Sequence, residues 1–337
     1  MEYMNTELFT TKTKRMNVMK LLIATNKPGS GSGQVIDALS PLYNKVMINP
    51  SPYDYYSASR RHDVVLNMGF PYYMYPRACP GVWYCMEPQI YLMREKGILK
   101  RTFSKSLYKI EKKRVNNLSA CIVADVRNAK RFNEIYGRYP DIVPYGIDYD
   151  FWSATPPVID DGIFTVCQIG HIQQFKNQIR SIEAFAEFRK ETHSRDSRLC
   201  FIGDIRDQKY YELMHERAKE LGVQFSHLSE VTRYELRDLY YPYIDCVLHP
   251  IKNQGGYLTP LEAAAANRPV IVSLDCSCSD IIMYHELGII SYSERNYPMW
   301  IDYIKNYGYT PNREWIKKYR TWHNFLTRMQ DVLMGVL

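Results

Sequence analysis

At 337 residues the chain exceeds what one hydrophobic core usually organises, so two domains of roughly 150 residues each are expected, with a cleft available between them. Its 46% hydrophobic and 23% charged residues are ordinary for a globular protein, and no apolar run nears the roughly 18 residues of a membrane span, which excludes an integral membrane helix. The net charge of +7 sits in one stretch, 94–114, where nine Lys or Arg accompany two Glu, leaving the rest neutral overall.

The tail 1–17 carries Lys12, Lys14 and Arg15 with no apolar stretch behind them, unlike a secretory signal peptide, and reads as the loose start of a cytoplasmic protein. An apolar strand over 18–25 then runs into a glycine-rich loop, 26–33, and a helix over 34–43, the opening of a doubly wound sheet. The loop does not match the dinucleotide fingerprint, and Gly31 and Gly33 serve either a flexible turn or the approach of a phosphate or sugar to the backbone. Short apolar runs at 45–48, 63–68, 81–85 and 120–124 continue a parallel sheet. In the basic stretch Ile98, Leu99, Phe103, Leu107 and Ile110 recur at three- and four-residue steps. That spacing predicts an amphipathic helix with an apolar face on the core and a basic face that is either simply solvated or drawn to an anionic membrane or acidic acceptor.

Segment 153–162, rich in proline, reads as the linker to a second series: strand 164–169, helix 177–192, strand 198–202, helix 208–221, strand 246–249, helix 260–266, strand 269–273 and a helical stretch over 313–337. Alternating strands and helices imply parallel pairing through right-handed crossovers. The expected layout is a tail, 1–17; an N-terminal Rossmann-like domain, 18–152; a C-terminal Rossmann-like domain, 153–312; and a last helix, 313–337, that could cross back to the N-terminal domain. The eight cysteines lie scattered, mostly in apolar runs, and read as buried free thiols; Cys276-Ser277-Cys278 lacks a second pair at zinc-finger spacing, so no metal is assigned. The 29 tyrosines against 12 phenylalanines point to a wet or sugar-facing surface.

Two loops carry the chemistry. In 249–262, Thr259, Pro260 and Glu262 read as N-cap, first helical residue and capping-box glutamate, and Gly255-Gly256 before that helix would let phosphates approach its positive end. Glu262 could equally serve only as a cap, and the glycines only as a turn. In 164–177 a strand ends at Gly170, and His171 and Lys176 follow as donors to an anion above the sheet. Lysine beside a helix start runs against the usual preference for acidic residues there, as a bound anion would explain.

With these residues in place the chain resembles the retaining GT-B glycosyltransferases of family 4, the glycosyl transferases group 1. VPYGID at 143–148 is similar to the family's "IPNGVD", Gly170-His171 with Lys176-Asn177 to its "GR…KN", RLCFIGD at 198–204 to its "L.ivGdG", and 254–269 to "EGFGLTPLEAMAxGxPV". The resemblance implies an α/β protein of GT-B fold, two Rossmann-like domains facing each other across a donor/acceptor cleft. It also implies transfer of a hexose from a UDP- or GDP-sugar to an acceptor hydroxyl with the anomeric configuration kept, and no metal or other cofactor. Glu262 would bind the ribose hydroxyls, Lys176 the diphosphate, and Gly256, Tyr257, Leu258 and Thr259 the sugar and diphosphate, with Gly170, His171 and Gly255 lining the same donor site and Gln254 beside the reacting carbon. Three residues depart from the pattern: Gln254 stands for a glutamate, His171 for an arginine, and Met86 for the histidine of a strand end "HE.P". Glu87 is left as the carboxylate there and, with Gln254, as a catalytic candidate. The acceptor is expected to be a glycan or lipid-linked, with peripheral contact to an anionic membrane through 94–114. Rival readings are a non-catalytic sugar-nucleotide or glycan-binding protein, a GT-B epimerase, and a glycosyltransferase acting on nucleic acid.

Overall fold

A computed structural model describes residues 19–26, 30–86, 88, 101–252 and 258–337. The chain divides into two compact units, one running to Tyr145 and taking in Trp322–Leu337, the other Gly146–Thr321.

The first unit is a six-stranded parallel sheet: β1 (Leu21–Thr25), β2 (Tyr43–Ile48), β3 (Val64–Asn67), β4 (Gly81–Tyr84), β5 (Ala120–Val123) and β6 (Asp141–Ile142), in the order β2-β1-β3-β4-β5-β6. Every residue of β1, β3, β4 and β5 is buried, as expected of parallel strands covered on both faces. Its helices are α1 (Ser30–Ala38), α2 (Pro52–Ser59), α3 (Arg101–Asn116) and α4 (Val126–Tyr136). Local chemistry fixes their ends: the Ser51 side chain accepts from the Asp54 amide ahead of α2 with Pro52 in the first turn, and Asp125 caps α4, which stops at Gly137 with φ +70°.

Two expectations are corrected here. Helix α1 starts at Ser30, so Gly31 and Gly33 lie within a helix rather than a loop, and a Cβ on Gly33 would meet nothing within 4 Å. Ile110 is 51% exposed, while Glu111 and Val115 are fully buried, so the core-facing stripe of α3 is displaced by one position. The cause is a polar anchor: the Tyr73 hydroxyl donates to Glu111 Oε1 at 2.5 Å, Tyr73 stacks on Trp83 with centroids 3.9 Å apart, and burial pushes the Glu111 carboxyl up to about 7.

The second unit begins with α5 (Tyr149–Ser153) and holds β7 (Phe164–Ile169), α6 (Gln178–Thr192), β8 (Ser197–Ile202), α7 (Gln208–Glu220), β9 (Phe225–Leu228), β10 (Cys246–His249), α8 (Leu258–Ala265), β11 (Val270–Ser273), α9 (Ser279–Tyr284), β12 (Ile289–Ser291), α10 (Tyr297–Tyr307) and α11 (Arg313–Tyr319). Its sheet is again parallel, in the order β12-β11-β10-β7-β8-β9. The core packs Ile182, Phe185 and Phe188 of α6 with Leu199, Phe201, Leu248 and Ile301. Where the chain enters and leaves this unit, the Ile147 amide donates to Arg320 O at 2.7 Å, beside a bridge from Ile147 to Thr321. The last helix, α12 (Trp322–Gly335), belongs to the first unit, where Phe325 packs edge-on against Tyr84. All eight cysteines are free thiols, seven of them buried.

Candidate active site

In a doubly wound sheet, ligands bind beyond the carboxyl ends of the strands where the strand order reverses. In the second unit that point falls between β7 and β10, the first and fourth strands of its series. The two loops leaving those strands are the two that the sequence singled out.

After β7 the backbone turns at Gly170, whose φ of +139° suits glycine. Its neighbour Gly203, at φ +148°, ends β8 so close by that an added Cβ would stand 2.3 Å from Gly170 O. Lys176 closes a short 3-10 turn, Gln174–Lys176, and its side chain lies over Gly170, the ammonium 3.9 Å from where a Cβ would be. Beneath it a buried polar chain holds the turn: the Ser181 hydroxyl donates to Gln168 Oε1 at 2.7 Å, and Gln168 Nε2 donates to Lys176 O at 2.7 Å.

Asn177 follows in the left-handed conformation, φ +58°, ahead of α6. Its amide Nδ2 donates to Pro250 O at 3.0 Å, and the Lys252 amide donates to Phe175 O at 3.2 Å. These two bonds tie the β7 loop to the β10 loop across the switch point.

His171 is partly buried, its Nδ1 3.9 Å from Asp204 Oδ2. Burial, with Arg206 and Lys176 nearby, lowers its pKa against the opposing pull of Asp204, so the imidazole is neutral through physiological pH. Asp204 also holds Arg206, Nη2 to Oδ2 at 3.5 Å.

On the β10 side His249 is buried against Cys276, and burial holds its imidazole neutral. The sulfurs of Cys276 and Cys278 lie 3.2 Å apart. Helix α8 is assigned from Leu258, so Thr259 lies in its first turn rather than at its N-cap, a correction to the expected start. Glu262 falls at the start of the second turn, 8% exposed, close enough to Tyr241 that its charge adds to the burial that raises that phenol. The candidates Gln254, Gly255, Gly256, Tyr257 and Glu87 lie outside the described residues.

The structure thus brings Gly170, His171, Lys176, Leu258, Thr259 and Glu262 into one unit, while Gly31 and Gly33 belong to the other. Sequence reasoning missed Asn177 as the tie between loops, Tyr241 as the neighbour of Glu262, and Arg206. Asn177 had a signal, since asparagine tolerates the left-handed region better than most residues.

Two sheets of this kind in one chain define the class: a GT-B protein with two Rossmann-like units. Residues 155–316, all within the second unit, match the family model described as "Glycosyl transferases group 1", so that unit carries a glycosyltransferase domain. Among solved structures the fold is similar to Anabaena HepE in complex with UDP-glucose (13% identity, 94% of this chain and 100% of that one, TM-score 0.74). It is also similar to the sucrose-phosphate synthase of Thermosynechococcus elongatus (12%, 94% and 99%, 0.73) and to WaaG, a glycosyltransferase involved in lipopolysaccharide biosynthesis (15%, 94% and 100%, 0.66). No curated protein matches the chain in sequence.

Proposed function

We propose that the protein is a retaining, metal-independent hexosyltransferase that moves a sugar from a UDP- or GDP-linked donor to a hydroxyl of a glycan or lipid-linked acceptor. The observation that carries this reading is the pair of loops tied together at the β7/β10 switch point, with the Lys176 ammonium over Gly170. HepE, which binds UDP and UDP-glucose, supports a nucleotide-sugar donor in such a fold.

In this reading Glu262 takes the ribose hydroxyls. Lys176, with amides around Gly170, Gly255 and Gly256, stabilises the diphosphate as its bond to the sugar C1 breaks. His171 contributes as a neutral donor, and Tyr257, Leu258 and Thr259 orient the transferred sugar. The acceptor oxygen bonds to C1 on the face the diphosphate leaves, and Gln254 and Glu87 are the catalytic candidates, Gln254 as a residue able to hydrogen-bond a sugar hydroxyl. Gly31 and Gly33 line the acceptor's side. The basic helix α3 exposes Lys109, Ile110, Lys113 and Arg114, a face suited to peripheral contact with an anionic membrane from the cytoplasmic side. Among the described residues no helix is long and apolar enough to cross one.

Titration calorimetry with UDP-, GDP- and dTDP-sugars, followed by NMR of the anomeric product with and without EDTA, tests the reading. Binding of one donor and an EDTA-insensitive product of unchanged configuration are expected. An inverted product overturns retention, and a wild-type protein that binds no nucleotide overturns the donor site itself.

A further inference from the structure

We infer that Arg206, on the loop after β8, is a second cation for the donor's diphosphate, acting beside Lys176. The inference rests on the donor reading above and extends it to a residue outside the β7 and β10 loops.

The geometry starts from the backbone. Gly203 packs against Gly170 so tightly that the β7 and β8 turns form one surface. Ile172 and Ile205 bridge these loops, and the Arg206 amide donates to Ile172 O at 3.0 Å, so Arg206 is pinned to the loop that carries His171 and Lys176. Asp204 is fixed in turn, accepting from the Glu230 amide at 3.0 Å through Oδ1. Its other oxygen, Oδ2, faces both Arg206 Nη2, at 3.5 Å, and His171 Nδ1, at 3.9 Å.

The charges then decide the roles. A nucleoside diphosphate leaves with several negative charges, and the His171 imidazole, which feels both cations, stays uncharged through neutral pH, so of the residues proposed above for the diphosphate only Lys176 brings a positive charge. Arg206 keeps its charge at any working pH, and its side chain is 58% exposed, held on one side by a carboxylate at a distance too long for a full hydrogen bond. A guanidinium held this loosely exchanges Asp204 for phosphate oxygens at little cost and offers them a two-pronged contact. Nothing in the core depends on this side chain, because an exposed ion pair adds little to folding.

The test is calorimetry of wild type, Arg206→Ala, Arg206→Lys and Lys176→Ala with UDP and with GDP, each beside its monophosphate and bare nucleoside. For the diphosphate the protein prefers, Arg206→Ala should lose about tenfold in affinity, Arg206→Lys a smaller factor, the monophosphate less, and the nucleoside nothing, with melting temperature unchanged. If Lys176→Ala loses diphosphate affinity while Arg206→Ala binds as wild type, Arg206 has no part in the site and the donor reading stands. Equal losses for nucleoside and diphosphate in Arg206→Ala also overturn the assignment. If wild type binds neither nucleotide, or neither alanine variant differs from it, the donor reading fails and takes this inference with it.

Discussion

The two units reverse their strand order with opposite chemistry at the rim. In the first, the switch falls between β1 and β3, where Asn26 Nδ2 donates to the Tyr72 hydroxyl at 3.1 Å and that hydroxyl donates to Asn49 Oδ1 at 3.1 Å. These groups are amides and a phenol, able to trade hydrogen bonds with hydroxyls and carrying no charge. In the second, the equivalent rim holds Lys176, His171, Asp204 and Arg206. Among the described residues, the groups bonded at the first rim are neutral and those at the second are mostly ionisable, so a shared architecture leaves ligand class to the loops.

The largest expected effect tests how rigid the charged rim is. Gly203→Ala must place a Cβ 2.3 Å from Gly170 O at a φ that side chains avoid, and should destabilise the second unit by about 4 kcal/mol or more in urea unfolding. Near-wild-type stability would mean that the two turns are not in backbone contact.

Glu111→Gln probes the other unit. The folded carboxyl titrates at about 7, above its unfolded value, so the folded state keeps a proton the unfolded chain has released. Stability from this group is fully present below the ordinary carboxylate range, is lost as pH rises to about 7, and is flat beyond. The loss is roughly 3 kcal/mol, and glutamine should abolish it in melts compared at pH 5 and pH 8.

Next in size is the pH dependence of nucleotide affinity. Because the His171 pKa is lowered, affinity for UDP or GDP should stay flat from about pH 7 to 9 and rise only as pH falls below the ordinary imidazole range of about 6.5. A fall centred between pH 7 and 8 would show a charged His171 and blur the contrast between the rims. Smallest is Gly33→Ala: with open space around it in a helix, it should raise the first unit's stability by up to about 1 kcal/mol, measured by thermal melts, where Gly203→Ala does the reverse.

The same contrast explains what the sequence discloses. Central strands such as β1, β3, β7 and β10 are apolar runs buried on both faces, and so are visible as such. The edge strands β6, β9 and β12 are absent from the sequence reading: both residues of β6 are exposed, β9 is only partly buried, and β12 has three residues, so none carries a run long or apolar enough to register. The glycine run before Gln34 reads as a loop because glycine is a poor helix former, yet the helix begins inside it. Motif loops name Lys176 and Glu262, whereas Arg206 acquires its place through the Gly170–Gly203 contact, the Ile172–Ile205 bridge and its own amide bond to Ile172 O, which join residues far apart in the chain.

Asn177 has a consequence for motion. Its left-handed turn and its bond to Pro250 O mean that neither loop at the switch point can lift without breaking the other's anchor. The two loops should therefore open as a single unit, with the Asn177 and Lys252 amides, bonded to Gln174 O and Phe175 O, exchanging hydrogen at matched rates. A nucleotide that holds one of the tied segments, 170–177 or 250–252, would hold the other in the same step, so the entropy of fixing both is lost once.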